Sequence, residues 1–442
     1  MRTVKRIAVV GSGISGLGVA WSLARGADPV RLTLFEAGHR FGGHAHTVDV
    51  TLQGVTHGVD TGFLVFNERT YPNLVLLFTE LGVQTATSDM SFSVQARQAG
   101  LEWSGRNLDT VFAQRSNLLR PRFWSMLADI LRFNRQATGL AVSGAENQLQ
   151  EPIVDFLRRH RYGNAFRDGY FLPMVGSIWS CPTDQMLQFP ISTLIRFCHN
   201  HGLIQVTGRP QWRTVKGGAR NYVQKMLKGI PDARLNTPVL GIKRLRSDTG
   251  AGGVLVATAQ GTERFDEVVL ACHSDQALRL LDDVTADERR VLGAIAYRRN
   301  CALLHTDSAV LPARRKAWAA WNYARADSPG REQAAVCLHY LINQLQPLPW
   351  QQPVVVSLNP DPARLPAANH VIAEMSYEHP VFDPAAVAAQ ARLPMIQGHS
   401  HLWFCGAWTR YGFHEDGLTS ALKVVDGLRA QWRSPAQRQV AA

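Results

Sequence analysis

Residues 5–36 read KRIAVVGSGISGLGVAWSLARGADPVRLTLFE. An apolar run leads into three glycines spaced G-x-G-x-x-G, which are Gly11, Gly13 and Gly16. Apolar residues at helical spacing follow, and a second apolar run ends in Glu36. This order of strand, tight turn, helix and strand is typical of the unit that binds the ADP part of a dinucleotide.

Each part of this unit has a physical task. Gly11 makes the turn, Gly13 lets a pyrophosphate approach the backbone, and Gly16 lets helix and strand pack closely. The start of the helix offers free N–H groups and a positive dipole end to the phosphates. Glu36 can accept hydrogen bonds from both ribose hydroxyls, and its charge disfavours a 2′-phosphate and therefore NADP.

The residues after this unit indicate which dinucleotide binds. Residues 36–47 read EAGHRFGGHAHT, and the pattern E-x-x-x-R-x-G-G resembles the FAD fingerprint of the flavin amine oxidase superfamily, which includes monoamine and polyamine oxidases, protoporphyrinogen oxidase and phytoene desaturases. Residues 403–428 resemble the closing flavin motif of that superfamily. Residues 210–222 resemble the Gly-Gly turn and helix before the strand that packs on adenine.

The resemblance implies an α/β fold, with a Rossmann-type FAD-binding domain and a discontinuous substrate domain that combines a mixed sheet with helices, as in amine oxidases. Strand-like runs are expected at residues 235–242, 253–259, 265–272, 301–306, 335–341 and 354–358. The expected FAD-binding domain comprises residues 1–90, 205–275 and 395–442, and the expected substrate domain comprises residues 91–204, which are rich in helix patterns, and 276–394.

A narrower resemblance suggests the substrate. Residues 42–48 (GGHAHTV) and 59–74 (VDTGFLVFNERTYPNL) are most similar to bacterial predicted NAD/FAD-binding proteins associated with cyclopropane- or methyl-branched fatty acid synthesis. This similarity implies an FAD-dependent oxidoreductase that removes a hydride from a hydrophobic substrate, best a membrane-lipid fatty acyl chain. The superfamily leaves three alternatives open: an amine oxidase using oxygen, a non-redox flavin isomerase, and a non-enzymatic FAD-binding partner of a lipid-modifying complex.

The cofactor-binding residues implied by these motifs lie in separate parts of the chain. A helix starting near Gly417 should point its positive end at the flavin. Gly62 should allow close backbone approach, whereas Asp60 is expected to hold backbone amides rather than to act as a base. His44 could hold a phosphate or the flavin ring, or make a structural hydrogen bond. The set is Gly11, Gly13, Ile14, Ser15, Gly16, Glu36, Ala37, Arg40, Gly43, His44, Asp60, Gly62, Val239, Gly406, Gly417 and Leu418.

The sequence assigns no catalytic residue, and the candidates are His44, His414 and Glu415. The last two precede the closing helix, where they could orient a substrate or move a proton, or have no role. Two features of amine oxidases are not recognisable: an aromatic pair that cages the amine, and a lysine near flavin N5. Lys216 and Lys316 are available for the second feature, but neither context matches well.

Composition sets the broad class. The chain has 442 residues, 45% of them hydrophobic and 19% charged, which suits a large core and two domains. Six cysteines show no C-x-x-C pair and no metal spacing, so reduced thiols, a cytoplasmic location and no metal are expected. The context of Cys405 predicts non-covalent FAD. No run of 18 apolar residues is present, so no transmembrane helix is expected.

The positive charge is concentrated. The net charge is +12, and residues 106–135 hold six arginines against two aspartates, among large apolar side chains. This pattern is consistent with peripheral docking on the anionic inner face of a membrane. The alternative is an amphipathic helix packed on the core with a solvated basic face. Nucleic-acid binding is not expected, because no DNA- or RNA-binding module is visible.

Overall fold

The computed structural model describes residues 4–149, 151–179, 183–205, 208–245, 252–326 and 336–432. These residues form five β-sheets with helices packed around them. The strands are β1 (Lys5–Val10), β2 (Val30–Phe35), β3 (Thr47–Leu52), β4 (Val55–Asp60), β5 (Phe66–Asn67), β6 (Thr85–Ser88), β7 (Phe92–Ala96), β8 (Leu101–Ser104), β9 (Trp212–Val215), β10 (Asp232–Arg234), β11 (Val239–Leu245), β12 (Gly253–Thr258), β13 (Gly261–Phe265), β14 (Glu267–Leu270), β15 (Tyr297–His305), β16 (Trp321–Ala324), β17 (Cys337–Leu341), β18 (Val355–Leu358), β19 (Val371–Pro380) and β20 (Leu402–Phe404).

Helices cover the sheets and fill the space between them. The described α-helices are Ile14–Ala24, Pro72–Glu80, Leu108–Val111, Pro121–Ser143, Ile153–Arg159, Asn164–Phe166, Leu172–Trp179, Thr183–Leu187, Ile191–Asn200, Arg220–Leu227, Ser274–Leu280, Ala286–Leu292, Ile342–Leu345, Pro384–Arg392 and His414–Trp432. Within the described ranges, none of these helices is long and apolar enough to cross a bilayer.

A five-stranded parallel sheet carries the glycine-rich turn. Its order is β10-β2-β1-β14-β20, and Val9 of β1 is paired with Leu34 on one side and Val269 on the other. All three side chains are buried, as expected for a parallel sheet with helices on both faces. The first helix, Ile14–Ala24, packs against the closing helix, His414–Trp432. The predicted α/β fold is confirmed.

A seven-stranded mixed sheet forms the other large layer. Its order is β19-β15-β18-β17-β16-β7-β8, and its neighbours are antiparallel except β16 and β7. Side chains alternate across it with the period of two that a strand imposes. In β18, Val356 and Leu358 face a cavity, whereas Ser357 points to the other face and bonds to two buried histidines.

The predicted strands agree with the structure except at one place. Strand-like runs 253–259, 265–272, 301–306 and 354–358 correspond to β12, β14, β15 and β18, and run 335–341 corresponds to β17, with its first residue outside the described ranges. The run expected at 235–242 corresponds to β11 from Val239 onward and is wrong for residues 235–238, because β10 ends at Arg234 and β11 begins at Val239. Between them, the amides of Asn236 and Thr237 donate to the carbonyls of Gly38 and Glu36 instead of to a neighbouring strand.

The helix-rich stretch 91–204 also differs in one respect, because it begins with two strands. β7 and β8 form a hairpin at one edge of the seven-stranded sheet, and the helices follow it. The division of the chain into an FAD-binding and a substrate domain at the expected boundaries stays a prediction.

Candidate functional site

A cavity of about 710 Å³ connects the two large sheets. At one end it is lined by residues at the carboxyl ends of the parallel strands, including Gly11 after β1, Glu36 after β2 and Ala271 after β14. Ligands of open parallel sheets bind at this edge. At its other end the cavity reaches Val356 and Leu358 of the seven-stranded sheet.

The glycines of the first turn have different surroundings. A Cβ built on Gly13 would meet no atom within 4 Å, although Gly13 lines the cavity, so this position leaves open space for a ligand. A Cβ on Gly16 would lie 1.8 Å from the carbonyl oxygen of Gly11. A Cβ on Gly43 would lie 3.0 Å from the Cα of Gly13. Gly43 therefore packs against Gly13, and Gly16 packs against Gly11. Both close contacts depend on the absence of a side chain and fix the backbone around Gly13.

Glu36 is fixed by its own loop. Its Oε2 accepts hydrogen bonds from the backbone N–H of Ser12 at 3.0 Å and from the Ser12 hydroxyl at 2.5 Å. Its Oε1 accepts from the N–H of Gly38 at 2.8 Å. The carboxylate lines the cavity, so its orientation toward a ribose is set before a ligand binds. The part played by Ser12 was missed from the sequence.

Gly43 and His44 form the next part of the cavity wall. The carbonyl of His44 accepts from Phe63 N–H at 2.8 Å, and a Cβ on Gly62 would lie 2.3 Å from that carbonyl oxygen. Gly62 therefore allows a close backbone contact, as expected, and the group that it contacts is the backbone of His44. Thr61, Gly62 and Phe63 all line the cavity beside Gly43 and His44.

Asp60 lies behind this wall and does not line the cavity. Its carboxylate accepts from Ala219 N–H at 2.9 and 3.0 Å, from the Thr47 hydroxyl at 2.5 Å and from the Gln346 amide at 2.8 Å. Burial raises its pKa to about 7, against the opposing effect of these hydrogen bonds. These hydrogen bonds link the end of β4 to the start of helix Arg220–Leu227 and to Gln346, which follows helix Ile342–Leu345. Asp60 therefore binds a backbone amide, as expected from the sequence.

The closing helix begins at His414, one turn before the expected start near Gly417. A Cβ on Gly417 would lie 2.8 Å from Ser15 Oγ and 2.9 Å from Ile14 Cγ2, so this glycine brings two helix N-termini together. Both positive dipole ends therefore lie at the same side of the cavity. Leu418 packs against Gly18 of the first helix and does not line the cavity.

Seven buried side-chain nitrogens have no hydrogen-bond partner among the described residues, and those of His44, His273 and Trp321 belong to residues that line the cavity. Arg40 Nη1 is also unpartnered, although Arg40 does not line the cavity. Burial lowers the pKa of Arg40 and, together with neighbouring histidines, holds the pKa of His44 well below its usual range. Unpaired buried donors are costly unless a ligand satisfies them. A polar group bound in this region would remove that cost.

A polar cluster from β19 reaches the cavity and was missed from the sequence. The Tyr377 hydroxyl lies 2.7 Å from Thr61 Oγ1 and 2.9 Å from His46 Nδ1. The ring of His44 lies 5.1 Å from that of Tyr377 and 5.4 Å from that of His379. Burial lowers the pKa of His379 to about 4. No local motif marks β19, so only its pairing in the sheet brings these residues to the site.

The two candidates at the closing helix occupy different places. His414 lines the cavity, stacks on Phe63 with ring centroids 3.8 Å apart, and has its Nε2 3.0 Å from the Tyr222 hydroxyl. Burial lowers its pKa to about 3.

Glu415 points away from the cavity. Its carboxylate accepts from the N–H groups of Asn73 and Leu74, each at 3.0 Å, and from the Asn73 amide at 2.7 Å. Glu415 therefore lies outside the cavity lining, and its side chain caps helix Pro72–Glu80.

The lysines considered for flavin N5 lie elsewhere. Lys216 is exposed, and Lys316 forms an ion pair with Asp109 at 3.0 Å on the surface. No lysine is present among the described residues that line the cavity. Cys405 is buried at the end of β20 and does not line the cavity either.

Comparison with known proteins gives the class of this enzyme. The family model described as flavin containing amine oxidoreductase matches residues 14–332, and the chain belongs to this family. It is an FAD-dependent oxidoreductase. The site fits FAD, because Gly13 leaves room for phosphate, Glu36 presents acceptors for a ribose, and two helix N-termini and the unpaired His44 Nε2 face the same region.

Solved structures share the fold over nearly the whole chain. They include a CLA-producing fatty acid isomerase from P. acnes (15% identity, 96% of this chain and 98% of that chain, TM-score 0.66), cyclohexylamine oxidase from Brevibacterium oxydans IH-35A (15%, 97% and 100%, 0.66) and wild-type putrescine oxidase bound to putrescine (14%, 97% and 99%, 0.67). At these identities the likeness concerns the fold alone. No curated protein sequence matches the chain significantly.

Proposed function

We propose that this enzyme dehydrogenates a hydrophobic substrate, and that the substrate is a fatty acyl chain of a membrane lipid. The observation that carries the proposal is the character of the cavity beyond the FAD region. There the lining comes mainly from helix Leu172–Trp179 and from the seven-stranded sheet, and it is predominantly apolar, with Ser177, Trp321 and Tyr340 as its polar side chains. Members of this apolar arm are Met90, Phe92, Met174, Ile178, Val356 and Leu358.

The charged residues of the lining support an uncharged substrate. Apart from histidines, the described lining contains Glu36, Arg279 and Glu378. Glu36 belongs to the ribose end, Arg279 pairs with Asp275 on its own helix, and Glu378 lies 3.4 Å from His273. An ammonium group in the apolar arm would therefore lose its hydration without gaining a carboxylate, which is costly. A hydrocarbon chain would gain free energy from the same burial.

FAD supplies hydride acceptance when it is bound. Forming a double bond in an acyl chain also releases a proton, which the protein must take up. The Tyr377 hydroxyl contacts both Thr61 and His46, and His46 is partly exposed. Because a hydroxyl can accept one proton while it donates another, this chain of groups offers a route from cavity to solvent.

The test is the visible spectrum of the oxidised holoenzyme without oxygen. Phospholipid vesicles or free fatty acids are added to one sample, and putrescine or cyclohexylamine to another. Bleaching of the flavin band by lipid alone, with a new double bond in the recovered acyl chains, is the expected result. Bleaching by amines alone would overturn the proposal in favour of an amine oxidase. A moved double bond without bleaching would replace dehydrogenation by isomerisation.

A pair of variants tests whether the apolar arm holds the substrate. Met90 lines this arm, so Met90→Trp should fill it and slow anaerobic bleaching by long acyl chains at least about tenfold, with a smaller effect on short chains. Met395 is half-exposed and does not line the cavity, so Met395→Trp is the matched control. Equal rates for the two variants would show that acyl chains do not use this arm.

A further inference from the structure

We propose that the enzyme docks on an anionic bilayer through one surface, which we name the basic tip. It consists of the exposed apolar residues Leu108, Leu118, Leu119 and Trp124 and the exposed cations Arg115, Arg122, Arg315 and Lys316. The inference goes beyond the proposed substrate, because it concerns where the enzyme resides and holds for any substrate.

The apolar residues of the basic tip are not part of the core. Leu119 is 87% exposed, Leu108 78%, Trp124 49% and Leu118 45%. The helix Pro121–Ser143 buries its other face, including Phe123, Met126 and Phe133. Packing on the core, the alternative to membrane docking, therefore explains the buried face of this helix. It does not explain the apolar side chains of the basic tip that remain in water. Four large exposed apolar side chains within residues 108–124 are a feature of interaction surfaces.

Hydrogen bonds and a ring contact fix the conformation of the basic tip around the start of helix Pro121–Ser143. The indole N–H of Trp124 donates to the carbonyl of Leu118 at 2.9 Å, and the Trp124 ring lies 5.3 Å from the buried ring of Phe112. The Arg120 guanidinium donates to the carbonyl of Gly100 at 2.6 Å. These contacts fix the backbone of the turn before the helix, from which Leu118 and Leu119 project, and so reduce the ordering cost of binding.

The positive charge of the tip comes from two distant segments. The short 3-10 helix Arg315–Ala317 packs beside helix Leu108–Val111. Asp109 forms ion pairs with both Arg115 and Lys316, and Arg122 and Arg315 of the same two segments are exposed. The tip thus carries four cations against the single carboxylate of Asp109, two of them paired with it, and this leaves the tip positive.

An anionic lipid surface satisfies both features at once. Leucine and tryptophan side chains enter the headgroup layer, while arginine and lysine contact lipid phosphates. A second copy of the chain would place like charge against like charge, since the net charge is +12. A nucleic acid would match the charge but would leave the leucines in water.

The test measures co-sedimentation of the holoenzyme with vesicles of saturated phosphatidylcholine, with and without phosphatidylglycerol. Saturated chains without amines keep binding separate from turnover. We expect binding to the anionic vesicles alone and weaker binding in high salt. The double variant Leu118→Gln/Leu119→Gln should bind at least about tenfold more weakly, because it removes the inserted apolar groups. Arg115→Gln and Arg122→Gln should each weaken binding about fivefold.

Leu76→Gln/Leu240→Gln is the matched control, because both leucines are exposed and lie outside the tip. It should bind like the wild type, and every variant should keep the FAD spectrum and the unfolding temperature. Absence of wild-type binding to anionic vesicles, or equal binding by the tip and control variants, would overturn the proposal. Loss of self-association on tip substitution, without an effect on vesicle binding, would instead assign the surface to a second copy.

Discussion

At the residue scale, the glycines of the first turn differ in what surrounds the missing side chain. Gly13 has an ordinary φ of −64° and open space beside it, whereas a side chain on Gly16 would overlap the backbone of Gly11. We therefore expect Gly13 to make room for the ligand and Gly16 to allow the packing of helix on strand. Only the surroundings distinguish them, because both belong to the same motif.

Gly13→Ala should leave the apoprotein folded and weaken FAD binding at least about tenfold, because its methyl group takes space in the cavity. Gly16→Ala should lower the free energy of unfolding by about 3 kcal/mol, the upper end for overpacking. FAD titration by fluorescence and thermal unfolding of the apoprotein measure the two effects. Equal destabilisation of the apoprotein by both substitutions would contradict this assignment.

At the element scale, Glu415 joins two helices. It belongs to the first turn of helix His414–Trp432 and caps the first N–H groups of helix Pro72–Glu80 through Asn73 and Leu74. The dipole of the capped helix favours this carboxylate, and burial raises its pKa. The pair of helices therefore behaves as one support for the cavity wall that contains His414.

Glu415→Gln should lower the free energy of unfolding by about 1–3 kcal/mol, because its amide nitrogen would face a backbone donor. The rate constant of flavin reduction at saturating substrate should stay within about twofold of the wild type, since the side chain does not reach the cavity. Thermal unfolding and anaerobic stopped-flow spectroscopy measure these quantities. A large loss of rate in a variant of unchanged stability would instead indicate that Glu415 takes part in proton transfer.

At the scale of the whole molecule, burial keeps many histidines neutral. Burial lowers the pKa to about 4 for His46, His201, His305 and His379 and to about 3 for His339 and His414. Two carboxyl groups act in the opposite direction, because burial raises the pKa of Asp60 to about 7 and that of Asp416 to about 6.

These shifts predict a loss of stability in mild acid. As the pH falls from about 6.5 toward 4, the six histidines gain protons in the unfolded chain and stay neutral in the folded chain. The unfolded state then binds more protons, and two protonated carboxyls in the folded state offset only part of this difference. The unfolding temperature of the FAD-bound protein should therefore decrease steadily from pH 7 to pH 4.5. A constant or rising value over that range would contradict the prediction.

The cofactor half of the site was predictable because its chemistry depends on local backbone geometry. The spacing of Gly11, Gly13 and Gly16, and the acid after β2, specify a turn and an acceptor within one short segment. The sequence did not indicate Ser12, since a serine between two glycines carries no signal until its hydroxyl is seen on Glu36. The place of Glu415 was also not predictable, because its partners Asn73 and Leu74 lie more than 340 residues away.

By itself the sequence determined a dinucleotide-binding unit and the amphipathic, basic character of residues 106–135, which follow from short-range spacing and composition. The α/β class and FAD as cofactor followed from the resemblance of its motifs to those of the flavin amine oxidase superfamily. Tertiary structure alone decided that Tyr377 and His379 lie beside His44 and that Lys316 and Arg115 share Asp109 at the basic tip. These are contacts between segments about 200–330 residues apart, and strand pairing and core packing set them.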